Sequence, residues 1–380
     1  QKVYGQSIVD AGEPGRLFRG VKRLLGNSKV SRLMVFDRPF RLVALITPLL
    51  LFIRQAIETS LRKSGNAAKP VDHACLGHPV NFEGRESDSN LSGLRRLAEA
   101  GRYAGFEHQS FYPEPIAAAT SYLHGQPDVD VNRLLAVDFG GGTLDLCIME
   151  RRNGKFEVLT THGVSLGGDH IDQQLFRRLL YPLLGKGERW RRKGEDREIE
   201  TLFPFDKYEE FLLNWPVSYM LNQNEYTTPV MQRMEAGDEA AAKFRRLYEL
   251  IKRNYSYLVF QSIKEVKASL SEQQSARLDI PELDVDLEIT RAEFEAIISD
   301  QLDAFKTAVQ DTLAMASSDP HQIDLVIRTG GSSLIPAVKD ILSNLFPNKV
   351  VEHDPFTSVA GGLATAEYYG LGTTFTVDQP

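Results

Sequence analysis

Asp138 stands just past an apolar run, Leu134 to Val137, and leads into Gly140, Gly141, Gly142, Thr143 and Asp145 within the segment LLAVDFGGGTLDLCIM. These residue types, in this order, suit an anion. Consecutive glycines let backbone N–H groups converge on phosphate oxygens with no Cβ in the way. A threonine hydroxyl adds a donor, and a carboxylate at a strand's end can hold a water bound to magnesium. The plain alternative is a glycine-rich hairpin with incidental acids. Asp138, Thr143 and Asp145 flanking the glycines weigh against it.

One strand must deliver Asp138 into such a turn and a second must leave it. Leu134–Val137 predicts the first and Leu144–Glu150 the second, with Phe156–Thr160 pairing antiparallel to the latter across a turn at Asn153–Gly154. Upstream, the residues from 40 to 63 read as a helix, Val71–Leu76 as a strand stopped by Gly77 and Pro79, and Leu91–Gly101 as a helix closed by Gly105. Ser110–Tyr112 is a short strand, and Pro115 opens the next helix. Downstream, helices are expected over His170–Leu180, Lys243–Leu270, Arg291–Ala316, Ala337–Leu345 and Ser358–Tyr369, with a strand at Ile323–Arg328. Strands alternate with helices in successive blocks, 71–124 and 131–345, which predicts α/β lobes with mixed sheets.

Residues 184–245 differ from both blocks. They carry Trp190 and Trp215 and the mixed-sign run ERWRRKGEDREIE, the pattern of a solvated face in an insertion-rich subdomain.

The chain has 380 residues, is 42% hydrophobic and 25% charged, and carries a net charge of −7. That length calls for more than one small core. The negative balance argues against nucleic acid as a partner. Two cysteines, Cys75 and Cys147, sit in apolar strand-like runs, which reads as buried reduced thiols and a cytoplasmic chain. His73, His78 and His162 have no partner at ligand spacing and read as structural. Leu42–Ile53 is the most apolar run; at about 12 residues it is too short to span a bilayer, so a buried helix and no membrane are expected.

DFGGGTLD resembles the second phosphate motif of the actin, hexokinase and DnaK superfamily, most of all that of the DnaK-type heat shock protein 70 chaperones. HGVSLGGDHID (162–172) resembles that family's LGGxDfD segment, YPEPIAAATSY (112–122) its connecting helix, IRTGGSSLIP (327–336) its adenosine motif, and RGVKRLLG (19–26) the segment with its catalytic lysine. The likeness covers most of residues 15–370 apart from the middle insertion.

The resemblance implies a two-lobed actin-like ATPase fold of the α/β class, with ribonuclease H-like duplicated domains and an enlarged middle subdomain. Lobe I would take residues 1–130. Lobe II would take 131–352, with the insertion-rich subdomain at about 171–290. Residues 353–380 would return to lobe I. The implied ligands are ATP or ADP and Mg2+. Lys22 would reach the γ-phosphate and the attacking water. Glu114 and Asp138 would hold magnesium through water. Gly140, Gly141 and Gly142 would cradle the β- and γ-phosphates, with Thr143 beside the γ-phosphate and Asp145 ordering ions or water. Gly167 and Gly168 would approach from the other lobe. Gly330, Gly331 and Ser332 would border the adenosine, with Lys267 and Ser271 beside it. A surface lysine at 22, a loop carboxylate at 114, an ordinary strand-to-helix turn at 330–331 and a solvated lysine at 267 are the structural alternatives.

Departures from the family pattern are also legible. The family's first phosphate hairpin, DxGTT-like, is not found in the sequence, whose Gln1 falls after its expected place; either the hairpin precedes Gln1 in the native protein or it has been lost, and ATP hydrolysis is expected only if it exists. Lys264 stands at the ribose-binding glutamate position, Leu334 at the adenine-stacking arginine and Phe356 at a late acidic position. No peptide-binding β-sandwich is expected, a layout that resembles the short DnaK-like proteins of the YegD type. The expected function is ATP binding with slow hydrolysis in a chaperone-type protein, with a protein partner possible at 184–245. A catalytically degraded actin-like scaffold or regulator is the alternative, and a small-molecule kinase a more distant one.

Overall fold

The computed structural model describes residues 21–27, 30–35, 38–65, 70–82, 89–126, 130–152, 155–193, 198–215, 217–354 and 357–370. Phe356 and the Asn153–Gly154 turn lie outside the described residues. The chain divides into two compact units. The first holds 1–168, 305–334 and 338–380; the second holds 169–304 and 335–337.

In chain order the strands are β1 (Arg32–Val35), β2 (Arg38–Arg41), β3 (His73–His78), β4 (His108–Pro113), β5 (Arg133–Phe139), β6 (Leu144–Arg152), β7 (Lys155–Val164), β8 (Arg189–Lys193), β9 (Glu198–Leu202), β10 (Ser275–Ile280), β11 (Val285–Thr290), β12 (Leu325–Thr329) and β13 (Val350–Glu352). The first unit is organised by a mixed sheet in the order β13-β12-β5-β6-β7. β12 runs parallel to both β5 and β13, while β5–β6 and β6–β7 are antiparallel.

Side chains alternate across this sheet, so β5 feeds two cores. Leu134 and Ala136 pack with Cys147, Met149 and Ile327 against Ile116 and Ala119 of the helix Glu114–Gly125. On the other helix-bearing side, Phe139 stacks on Phe305 of the helix Ser299–Met315, ring centroids 5.3 Å apart. A sheet that must be buried on both faces reads as a near-continuous apolar run, which is what Leu134–Val137 and Leu144–Met149 are.

β3 and β4 form a separate parallel pair. Their strand runs two residues beyond the expected stop, through Gly77 to His78. Gly77 is therefore a packing glycine rather than a terminator: a Cβ there would stand 3.2 Å from Leu363 Cδ1 and 3.3 Å from Glu114 Cγ. The helix Ser358–Tyr368 crosses Glu114–Gly125 so closely that a Cβ on Gly362 would collide with the carbonyl of Ala117.

The apolar run from Leu42 does form a helix, Leu42–Lys63, but not a buried one. Only Leu42, Val43 and Ile46 are buried, against Leu97, Ala98 and Ala100, whereas Phe52 is 50% exposed and Leu49, Ile53 and Ile57 are also exposed. The segments that cover it, the helix Ser89–Tyr103 and the turn Val21–Gly26, reach its first turns. At 22 residues it is long and apolar enough to cross a membrane by length and composition, although the continuous apolar run within it ends at Ile53. Cys147 is buried as expected; Cys75 is only half-buried.

The second unit is held by aromatic contacts. Phe176 meets Tyr181 and Phe260, and Phe203 meets Tyr208, Phe244 and Trp190, all at centroid separations of 4.8–5.8 Å. Two expected long helices are broken. Lys243–Leu270 becomes Ala241–Lys252 and Ser256–Glu272, because Asn254 takes the left-handed conformation at φ 55°. Arg291–Ala316 becomes Arg291–Ile297 and Ser299–Met315, the first opened by a capping box between Thr290 and Glu293.

Candidate functional site

Parallel pairing places the carboxyl ends of β5 and β12 side by side, with Asp138 opposite Thr329, and those of β3 and β4 likewise, with His78 opposite Pro113. Ligands in open α/β sheets bind beyond such ends. Each of these strands here hands a functional group to its following turn. β3 delivers Pro79 and Asn81, β4 delivers Glu114, β5 delivers Asp138 and the glycine turn, and β12 delivers Gly330. Lys22, Pro79, Asn81, Glu114, Asp138, Gly140, Gly141, Gly142 and Thr143 line one recess of about 160 Å³.

The turn is held from behind. Gly140 N–H donates to Thr143 O (3.0 Å), while Gly140 O accepts from Gly168 N–H (3.0 Å) and from Ser332 Oγ (2.9 Å). A Cβ on Gly167 would stand 2.5 Å from Gly141 O, so this position admits only glycine. The N–H groups of Gly141 and Gly142 are engaged by no other described residue. Donors that are fixed but uncommitted are what an incoming anion requires.

Lys22 reaches the recess from the turn Val21–Gly26, whose Leu25 is fully buried and whose Val21 and Leu24 pack on the same core. Arg96 Nη1 pins that segment by donating to Leu25 O and Asn27 O, both at 2.9 Å. The ammonium of Lys22 pairs with the carboxylate of Glu114. Burial drives the Lys22 amine down to about 8, against the pull of Asp145 and Asp138. Burial likewise raises the Asp138 carboxyl to about 7, reinforced by the neighbouring Asp145 charge and opposed by Lys22.

Asp145 is almost fully buried and is shifted upward by that burial, although it accepts from Thr143 Oγ1 (2.7 Å) and from Val80 N–H (2.9 Å). It therefore fixes the rotamer of Thr143 and ties the β3 turn to the glycine turn.

The β12 turn is built to pass close by. Gly330 sits at φ 81°, and a Cβ there would come within 2.6 Å of Asp138 Oδ1 and 2.5 Å of Phe139 O. Buried Arg328 donates to Ser333 O (2.8 Å) and pairs with Glu352, and Ser333 Oγ donates to Gly330 O (2.8 Å).

Of the residues singled out in the sequence, Lys22, Glu114, Asp138, Gly140, Gly141, Gly142, Thr143, Asp145, Gly167, Gly168, Gly330, Gly331 and Ser332 thus stand in the first unit, around or against this turn. Lys267 and Ser271 stand in the second unit, on the helix Ser256–Glu272. There Lys267 Nζ bonds Asp172 Oδ1 at 2.5 Å, and Ser271 Oγ donates back to Lys267 O at 3.1 Å. Lys264 Nζ lies 3.3 Å from Asp169 Oδ1 and 3.7 Å from Asp172 Oδ2. Burial pushes the Asp172 carboxyl upward in spite of both lysines.

Pro79, Asn81, Arg96 and Arg328 were not foreseen. The first two follow a strand as plain turn punctuation, and the arginines act through backbone carbonyls that only the fold brings near.

Fold and site together define a mixed α/β protein in which a lysine and carboxylates surround a glycine turn at strand carboxyl ends. The Hsp70 protein family model matches residues 52–187 and 244–367, and the chain belongs to the Hsp70 family. The match is interrupted over 188–243. Similar relatives include the chaperone protein DnaK of Mycoplasmopsis synoviae (strain 53), 24% identical over 90% of this chain and 47% of the relative. That of Emiliania huxleyi is 28% identical over 72% and 36%, and that of Metamycoplasma hominis 25% identical over 91% and 48%. The chain therefore spans under half the length of each of these relatives.

Proposed function

We propose that the chain binds ATP or ADP with Mg2+ at the glycine turn and hydrolyses ATP slowly, as a chaperone-type member of its family. The observation that carries this is the pair of uncommitted amides at Gly141 and Gly142, set between Lys22, Asp138 and Thr143 in one recess. The residues fit the ligands. The glycines approach phosphate oxygens through backbone donors, Asp145 holds the Thr143 hydroxyl beside them, and Asp138 and Glu114 offer oxygens to magnesium-bound water. Bound magnesium supplies charge neutralisation for phosphoryl transfer, and the protein's part is chiefly positioning. Lys22 would orient the attacking water and meet developing charge on the γ-phosphoryl oxygens. The segment 184–245 would offer a place for a protein partner in a cytoplasmic setting.

A binding module that has lost hydrolysis is the second reading. It is favoured by Lys264, which is drawn to Asp169 and Asp172 where the family resemblance expects a ribose-binding glutamate.

Phosphate release from Mg-ATP, measured on the full chain and on Asp138→Asn, separates the two. Slow release that falls at least about tenfold, a difference of 1.4 kcal/mol in barrier, supports hydrolysis. Binding of Mg-ATP by calorimetry with no Asp138-dependent release supports the binding module. Absence of both rejects the nucleotide assignment.

A further inference from the structure

β3 and β4 each open on a histidine that directly follows an acid, Asp72-His73 and Glu107-His108. The strands are parallel and the register sets His73 opposite His108, so the two dipeptides lie side by side. His108 N–H donates to Asp72 O at 3.0 Å, which locks that alignment. The imidazoles stack with centroids 4.4 Å apart, and His73 Nδ1 lies 2.7 Å from Asp72 Oδ1. The ligand atoms of Asp72, Glu107 and His108 all lie within 4.8 Å of one another. This cluster sits at the amino ends of the strands, whereas the phosphate recess lies past their carboxyl ends, about 16 Å away at 3.3 Å per residue.

We propose that Asp72, Glu107 and His108 form a site for a divalent transition metal, with Zn2+ the best match. One imidazole and two carboxylates make a nitrogen–oxygen donor set suited to zinc, with a position left for water. Four-coordinate ligands about 2 Å from an ion stand roughly 3.3 Å from each other, so the side chains need only small rotations to close on it. All three side chains reach solvent, which gives the ion an entry path. The sequence conceals the site because its donors lie 35 positions apart and spacing along the chain matches no zinc motif; only the parallel register joins them. An ion held there would clamp β3 to β4.

Calorimetric titration of the full, nucleotide-free chain with ZnCl2 tests this, followed by thermal melting with and without zinc. The expected result is saturable binding of one equivalent, weakened at least tenfold in both His108→Ala and Glu107→Gln. Zinc should raise the melting temperature of the parent chain and leave that of His108→Ala unmoved. Because these side chains are on the surface, circular dichroism of the two variants is expected to match the parent; if one fails to fold, the other carries the test. No one-equivalent binding to the parent, or binding undiminished in the folded variants, overturns the site.

Discussion

At the residue scale, the site stores electrostatic cost that a ligand would relieve. Asp138 is held up to about 7 by burial and by Asp145, while in an unfolded chain it titrates in the ordinary carboxylate range. Between those two values the folded chain keeps a proton that the unfolded chain has lost, so stability falls as pH rises through the window. Asp138→Asn removes that titration. In urea unfolding without metal or nucleotide it should stabilise the chain by about 2 kcal/mol near pH 8, with the gain shrinking toward pH 4. A gain that does not change with pH would contradict the burial argument. Asp138, the glycines, Thr143 and Asp145 were legible in the sequence because they are contiguous and their order is itself the chemistry. Arg96 was not: its contribution is a set of hydrogen bonds to the carbonyls of Leu25 and Asn27, some 70 positions away. Arg96→Ala should lower stability by about 1–3 kcal/mol and raise the KM for Mg-ATP by loosening the segment that carries Lys22, as steady-state kinetics and denaturation on the same preparation would show.

At the element scale, parallel register does the assembling. β5 and β12 end together, and the turns that follow must pass within van der Waals reach of each other, which is why Gly330 has room for no Cβ and adopts φ 81°. Gly330→Ala should therefore destabilise by about 1–3 kcal/mol and displace Asp138. A variant that melts with the parent and keeps its nucleotide affinity would show that the two turns are not packed in this way. Strand and helix identities came through from periodicity, since a sheet covered on both faces leaves long apolar runs. Element ends came through less well. Gly77 looked like a stop and is a close-packing point beside Glu114, and Asn254 looked helical yet breaks its helix in the left-handed conformation. In each case the deciding contact or backbone angle is tertiary. The helix Leu42–Lys63 failed differently: its hydrophobicity predicted burial, but its neighbours cover only its first turns.

At the scale of the whole molecule, the two units rest on unlike cores. The first is a sheet between helices, and the second is a network of aromatic rings around Phe176, Phe203 and Phe244. Phe244 is fully buried, and Phe244→Ala should cost about 3–5 kcal/mol. Hydrogen exchange should show that loss first in amides of 169–304, leaving β5 and β6 protected; simultaneous loss in both units would mean that they unfold as one. Nucleotide binding in this chain requires an anion seated on the backbone after β5. Amide chemical shifts recorded by NMR during a Mg-ATP titration of the full chain test it most directly. Saturable shifts at Gly141, Gly142 and Thr143, absent when magnesium is added alone, are predicted. Shifts that spare these amides while appearing elsewhere, or no shifts at saturating nucleotide, would contradict it.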